Sequence, residues 1–439
     1  MFILSRVYGS DSQVKITHIS TADSSGGAAR SAYRLHAGLR ALGLDSRMLV
    51  LQKESNDTSV LLFQPPLDGP TRLRRVIKRC LLKLSQKDLV GRPAGATYFS
   101  DDRSQHSADA LSQVPPSDIL HLHWIAGFLD YRDFFRRLPH GLPVVWTLHD
   151  MNPFTGGCHF DGGCGKYLEQ CGTCPQICSL ERHDLSARVW KRKSGALATC
   201  SASSMHIVAP SRWLAAEAKK STLLGRFPIT VIPYGVDTEN FQPRDRSFAR
   251  QLFGIPPEAR VVLFVADWAG EKRKGLDLLV EAIKEIEDFP DLCVFTIGRN
   301  IARQEIGNRS IAIEQIRDEL TMSLAYSAAD LFVVPSLQDN LPNTALEAFA
   351  CGIPTVAFAV GGLTDIIRDD ETGVLVAPGD VRALRVAIAK MLENPDRLAS
   401  MAESCRRTAL GKYRLEVQAR NYVALYESLL QVRAANHMS

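Results

Sequence analysis

The sequence predicts an α/β protein built from two Rossmann-like domains, each with a parallel sheet, facing one another across a cleft. Three observations carry that expectation. The chain has 439 residues, too many for one ordinary hydrophobic core and about right for two. Short β-branched runs recur along it, each closed by a polar or glycine-bearing turn and followed by helical spacing, which is the pattern of βαβ units. A turn-rich stretch with few apolar residues, Pro233-Tyr-Gly-Val-Asp-Thr-Glu-Asn-Phe-Gln-Pro243, interrupts the series and reads as an interdomain connection.

In the first half, strands are expected over 14–20, 46–51, 119–124, 144–150, 206–211 and 230–235; in the second half, over 261–267, 293–298, 331–336, 354–360 and 373–378. The domain boundaries follow as 1–235 and 236–412, with 413–439 a C-terminal helix. Val417, Tyr422, Leu425 and Leu429 lie on or near one face of that helix, which is expected to pack back on the first domain. Residues 53–70 and 85–117 show no clear period and are rich in Ser, Asp, Gln, Gly and Pro, so they read as loops.

Composition narrows the function. Hydrophobic residues make up 45% and charged residues 23%, the balance of a globular protein. A formal net charge of +4 is far too small for a dedicated nucleic-acid binder, which must offset many phosphates. The expected location is cytoplasmic, because neither a membrane-spanning run nor a signal-peptide pattern is evident. No phosphate-binding Walker loop occurs, and neither half opens with Gly-x-Gly-x-x-Gly after its first strand, which disfavours a dinucleotide oxidoreductase.

The most informative stretch runs from Val333 to Pro354 and reads as strand, loop, helix and stop. Pro342 suits the first helical position, and Gly352 and Pro354 mark the end. The start of that helix then faces a loop at the carboxyl end of a strand, where open α/β sheets bind ligands and backbone N–H groups favour phosphate. Asp339 in the loop and Glu347 eight residues later are acceptors for sugar and ribose hydroxyls. Lys272, Arg273 and Lys274 follow an earlier strand and supply the cations that a departing diphosphate requires. In the first half, Gly26 and Gly27 lie between the first strand and a helix, where the missing Cβ permits close approach to a phosphate or sugar. His121 and His123 alternate on one strand and share a face.

These residues resemble a known pattern. The stretch resembles the acid-x7-acid signature of family-4 retaining glycosyltransferases of GT-B architecture, continued by Glu347-Ala-x-Ala-x-Gly-x-Pro-x-Val and ending in Gly361-Gly362. The family usually has glutamate where this chain has Asp339, and often a glycine-rich loop in place of Asn340-Leu341-Pro342-Asn343. The resemblance implies a nucleotide-sugar donor held by Gly26, Gly27, Arg273, Asn340, Leu341, Asn343, Thr344 and Glu347. It further implies that Lys274 meets the diphosphate and that His123 contacts the donor hexose. The family's arginine a few residues before the lysine is absent, with Trp268 about there and Arg273 as its substitute. The implied chemistry is retaining hexosyl transfer by positioning and charge stabilisation, with His123, Lys274 and Asp339 as catalytic residues, no dedicated carboxylate nucleophile and no catalytic metal. The acceptor is expected to be a glycan or a lipid-linked sugar in surface polysaccharide or glycoconjugate synthesis. A sugar-nucleotide epimerase of similar build and a non-catalytic nucleotide-sugar binder are the alternatives left open.

Two further features stand apart. Cys158, Cys164, Cys171 and Cys174 form a cluster within an insertion at about 151–180, and the Cys171-x2-Cys174 spacing lets two thiolates meet one ion. A structural zinc is the expectation there, with free thiols or an iron–sulfur cluster as alternatives. The segment resembles an insertion in a subset of bacterial polysaccharide-type glycosyltransferases that carry Trp146-Thr-Leu-His-Asp150 and Phe154-Thr-Gly-Gly-Cys-His159. Residues 72–84 combine six basic residues with apolar positions at helical spacing, which suits either contact with an anionic membrane surface or packing on the core.

Overall fold

The structure is a computed structural model and describes residues 14–286, 289–301 and 310–438. The chain folds as two compact units. The first takes the described residues up to Pro93, then Thr97–Pro233, and the chain from Gln418 onward; the second takes Ala94–Ala96 and Tyr234–Val417. The helix Leu415–Met438 is therefore shared, its opening residues belonging to the second unit and the remainder to the first. The stretch expected as an interdomain connection lies mostly in the second unit, with only Pro233 in the first.

The first unit is centred on a seven-stranded parallel sheet: β1 Lys15–Ala22, β2 Asp45–Gln52, β3 Val60–Leu62, β4 Ile119–Leu122, β5 Val144–Thr147, β6 Met205–Ala209 and β7 Ile229–Val231, in the order β3-β2-β1-β4-β5-β6-β7. The second carries six parallel strands: β8 Arg260–Trp268, β9 Leu292–Arg299, β10 Ser310–Ile313, β11 Leu331–Val334, β12 Thr355–Phe358 and β13 Gly373–Val376, in the order β10-β9-β8-β11-β12-β13. Nearly every central-strand residue is buried, which is why these strands read as apolar runs rather than as alternations. The two strands not expected from the sequence, β3 and β10, each lie at one edge of their sheet. β3 lies in the 53–70 stretch read as loop; with three residues it is too short to show a period and is defined by pairing with β2. The 85–117 stretch contains only the 3-10 turns Gln86–Leu89 and Ser107–Gln113.

The C-terminal helix closes one face of the first sheet. Ala419, Tyr422, Leu425, Tyr426 and Leu430 pack with Leu35 and Leu39 of the helix Gly26–Ala41 over Ile16, Ile119, Val145 and Val208. Both tyrosine hydroxyls are satisfied in this apolar setting: Tyr426 bonds His121 Nδ1 and Tyr422 bonds Thr147 Oγ1, each at 2.7 Å. Buried aromatic rings with satisfied hydroxyls are what make so long a terminal helix dock stably.

Candidate functional site

In the second unit, β11 ends at Val334 and the helix Asn343–Ala350 begins nine residues further on. Pro342 is the residue before the helix, not its first helical residue. Its ψ of 122° is extended, while its carbonyl accepts from Ala345 N–H, the geometry of a capping position. Ala345 to Ala350 are all buried, so this helix is internal.

The loop between them is held by residues distant in sequence. Lys274 Nζ donates to Asp339 Oδ2 at 2.6 Å, Arg273 Nη1 stands 3.6 Å from the same oxygen, and Ser336 Oγ donates to it at 3.3 Å. Asp339 Oδ1 accepts the N–H of Asn340 at 3.0 Å. Burial pushes the Asp339 carboxyl up, but Lys274 and then Arg273 outweigh it and hold the group below the usual carboxylate value. The acid is therefore ionised at neutral pH and neutralises the lysine. Two glycines make the loop's path possible. A Cβ on Gly275 would sit 1.9 Å from the Pro335 carbonyl oxygen, and one on Gly361 would sit 1.7 Å from that of Asp339; both residues have positive φ, +70° and +51°.

The structure thus brings Lys274, Arg273 and Asp339 into one constellation. Arg273 is also committed to Glu271, whose carboxylate it meets through Nε and Nη2, each at 3.0 Å. Glu271 is buried and was not anticipated; only its place beside the basic run hinted at a partner. Glu347 lies in the helix interior, 3% exposed, and accepts from Tyr326 OH at 3.1 Å. Asn340 and Leu341 are buried as well, while Asn343 and Thr344 are partly exposed on the helix's first turn.

In the first unit, Gly26 and Gly27 open the helix Gly26–Ala41, and Gly26 has φ +86° with open space where a Cβ would stand. His121 and His123 do share a face, their rings stacked at 4.2 Å. His123 is nonetheless not positioned to touch a sugar itself. It is 2% exposed, and its ring nitrogens are taken by His18 Nδ1 at 2.9 Å and His149 Nε2 at 3.1 Å. The expectation of direct contact through His123 gives way to a place behind His149, which follows β5 and is partly exposed.

That pair belongs to a longer chain. His18 Nε2 meets Ser46 Oγ at 3.1 Å, Ser46 Oγ meets His36 Nδ1 at 2.7 Å, and His36 Nε2 meets Ser59 Oγ at 2.8 Å. Ser59 gives its only hydroxyl hydrogen to Asp57 Oδ1 at 2.6 Å, so it can only accept from His36. Donor–acceptor accounting then runs in one direction. His36, His18, His123 and His149 each carry the proton on Nε2, and Nδ1 of His149 is left as an acceptor. Burial pushes all four rings below the ordinary imidazole value, His36 and His149 to about 4, so they are neutral at pH 7.

Among the described residues, His18, His121 and His123 are the one group of metal-type ligand atoms within 4.8 Å of each other. All six of their ring nitrogens are engaged by protein partners, which leaves none for an ion. The four predicted cysteines line a single cavity in this unit.

Comparison with known proteins places this architecture. A family model described as Glycosyltransferase Family 4 matches residues 25–240, and one described as Glycosyl transferases group 1 matches residues 259–394. The chain belongs to the family-4 glycosyltransferases. It is 33% identical over 194 residues to D-inositol 3-phosphate glycosyltransferase 2 of Catenulispora acidiphila, covering 40% of this chain and 45% of that one. It is 30% identical over 220 residues to the lipopolysaccharide core biosynthesis mannosyltransferase LpsB of Rhizobium meliloti, covering 46% and 62%. The chain thus spans about half the length of the curated relatives it matches. This glycosyltransferase shares its fold with sucrose-phosphate synthase from Thermosynechococcus elongatus, with TM-score 0.67, 20% identity and coverage of 96% and 100%. Anabaena HepE in complex with UDP and glucose gives TM-score 0.62, 15% identity and coverage of 95% and 100%. Both solved structures match nearly the whole chain and establish the two-domain GT-B fold.

Proposed function

We propose that this glycosyltransferase moves a hexose, with retention, from a nucleoside-diphosphate sugar to a glycan or lipid-linked acceptor in surface polysaccharide or glycoconjugate synthesis. The observation that carries the reading is the Lys274–Asp339 contact, which joins a cation and an acid from two strand-to-helix loops 65 residues apart. Lys274 exchanges Asp339 for the donor diphosphate and stabilises the negative charge that builds as the glycosidic bond breaks. Asp339, ionised, accepts hydrogen bonds from sugar hydroxyls; Asn343 and Thr344 receive the phosphates at the first helical turn; Glu347 takes the ribose. His123 acts on the sugar through His149, whose tautomer it fixes. No catalytic metal enters this scheme.

The names of the relatives, an inositol phosphate glycosyltransferase and a lipopolysaccharide mannosyltransferase, support sugar transfer to a glycoconjugate, and the UDP complex of HepE supports a nucleotide-sugar donor. The test is turnover of a panel of nucleoside-diphosphate hexoses by the full chain, followed by acceptor transfer and NMR of the anomeric product. Release of nucleoside diphosphate with an α-product from an α-donor is the expected result. Interconversion of free sugar nucleotides without an acceptor would point instead to an epimerase, and binding without any turnover to a non-catalytic protein.

A lipid-linked acceptor suits a second feature. The helix Gly69–Ser85 has no buried residue. It exposes Leu73, Val76, Ile77, Leu81 and Leu84, each more than half exposed, along one stripe. Arg72, Arg74, Arg75, Lys78, Arg79 and Lys83 flank them, with no acidic residue in the helix. The helix is tied to its unit through Lys78 and Arg74, which meet Asp133, while its apolar stripe and remaining charge suit an anionic lipid surface. No described helix is long and apolar enough to cross a membrane, so the proposed contact is peripheral, at the inner face of the plasma membrane. Sedimentation with phosphatidylglycerol vesicles is expected to carry the protein down. Phosphatidylcholine vesicles, or the Leu73→Asp/Ile77→Asp variant on phosphatidylglycerol, are expected to leave it in the supernatant. Equal binding to both lipids would remove the electrostatic part of the proposal.

A further inference from the structure

Residues 151–184 contain little regular structure: the 3-10 turns Asn152–Phe154, Lys166–Leu168 and Pro175–Ile177 and an isolated antiparallel bridge from Cys158 to Phe99. Such a segment needs something other than backbone ladders to hold it. Cys158, Cys171 and Cys174 are buried, Cys164 is partly buried, and none is in a disulfide. These four line one cavity of about 10 Å³ together with Thr155, Lys166 and Tyr167, room for a single ion or water. Cys178, four residues past Cys174, is exposed and does not line it.

The sulfurs have polar groups close by. Gly156 N–H donates to Cys171 Sγ at 3.1 Å. The turn just after Cys174 is closed by Ile177 N–H donating to the Cys174 carbonyl at 3.3 Å. Arg92 Nε fixes that same turn through the Gln176 carbonyl at 2.9 Å. On the other side, Lys193 is fully buried and donates to the carbonyl oxygens of Asn152 and Thr155, in the turn that precedes Cys158. A backbone donor aimed at sulfur and two cations nearby suit a site that takes on net negative charge.

From this arrangement we infer a structural zinc site formed by Cys158, Cys164, Cys171 and Cys174, beyond anything that sugar transfer requires. Four thiolates around Zn²⁺ complete the closed tetrahedral set of structural sites, with Zn–S of about 2.3 Å and hence sulfurs roughly 3.8 Å apart. Among the described residues no three of these sulfurs lie within 4.8 Å of one another. Binding therefore draws them inward by side-chain rotation around the existing cavity. The ion then cross-links three turns of the insertion to one another, supplying the order that hydrogen-bonded strands supply elsewhere.

The experiment uses the full chain purified without chelators. Elemental analysis is expected to give one zinc per chain. Replacement by Co²⁺ is expected to give the intense sulfur-to-cobalt charge-transfer absorption of a tetrathiolate site. Cys164→Ser and Cys171→Ser are expected to lose the metal, and Cys178→Ser to retain it. Because a ligand variant can fail to fold, the cobalt spectrum of the unaltered chain tests four-thiolate tetrahedral coordination independently. Sub-stoichiometric zinc that does not rise on titration with Zn²⁺ alone would overturn the proposal. Iron with acid-labile sulfide, or equal metal loss in Cys178→Ser, would do the same.

Discussion

Lys274→Ala is expected to lower kcat/KM for the nucleotide-sugar donor by about 10²- to 10³-fold, most of it in kcat, because the lysine acts on charge that develops in the transition state. The same change also strips the buried Asp339 of its nearest cation, leaving Arg273 at 3.6 Å. Losing one partner of a buried ion pair costs about 3–5 kcal/mol, and partial exposure of Lys274, with 23% of its side chain accessible, places this case at or below the lower end. Activity and stability are therefore expected to fall together, which by itself would not separate chemistry from folding. Adding Asp339→Asn to Lys274→Ala removes the uncompensated charge. The double variant is expected to recover most of the urea midpoint while remaining inactive. Transfer by Lys274→Ala within a few-fold of the unaltered chain would remove the lysine from the diphosphate.

How much of this was legible in the sequence depends on the length over which each signal extends. Most of the eleven anticipated strands announce themselves because they are buried apolar runs next to a turn, while β3 and β10, each at a sheet edge, are short and partly exposed and owe their form to a neighbour. Lys274 and Asp339 were both identified, yet their contact was not, since a 65-residue separation leaves no local trace. The choice of His123 failed for a related reason. Alternation along β4 shows that His121 and His123 share a face, but not that His18 on β1 and His149 after β5 would occupy both nitrogens of His123. Adjacency of β1, β4 and β5 is a property of sheet order, which one sequence does not display. Asp57, whose bond to Ser59 sets the direction of the whole histidine chain, sits in a stretch read as featureless loop. The cysteine cluster was found because its members lie close in sequence, and the basic helix because charge and period coincide over consecutive turns.

Gly361→Ala is expected to be nearly as damaging as loss of the lysine, although Gly361 has no side chain to contribute. Its φ of +51° is one that an L-residue adopts only with strain, and the added Cβ would stand 1.7 Å from the Asp339 carbonyl oxygen and 2.9 Å from its carbonyl carbon. Backbone cannot rotate away as a side chain can, so the Asp339 segment must move. The left-handed conformation costs about 1 kcal/mol and forced displacement in a packed interior about 1–3 kcal/mol more. The displaced residue is the partner of Lys274, at a contact of 2.6 Å, and misplacement by an ångström is enough to cost about 10²-fold in rate. Gly379→Ala supplies the comparison. Gly379 has φ +75°, but the nearest atom to its added Cβ is a Leu337 methyl at 3.9 Å, so it carries the conformational strain without the collision. A loss of roughly 1 kcal/mol with near-normal turnover is expected there. If Gly361→Ala kept donor turnover at the level of Gly379→Ala, the position of Asp339 would not be what the reaction depends on, and the acid would have to be reassigned from holding the sugar to holding the lysine.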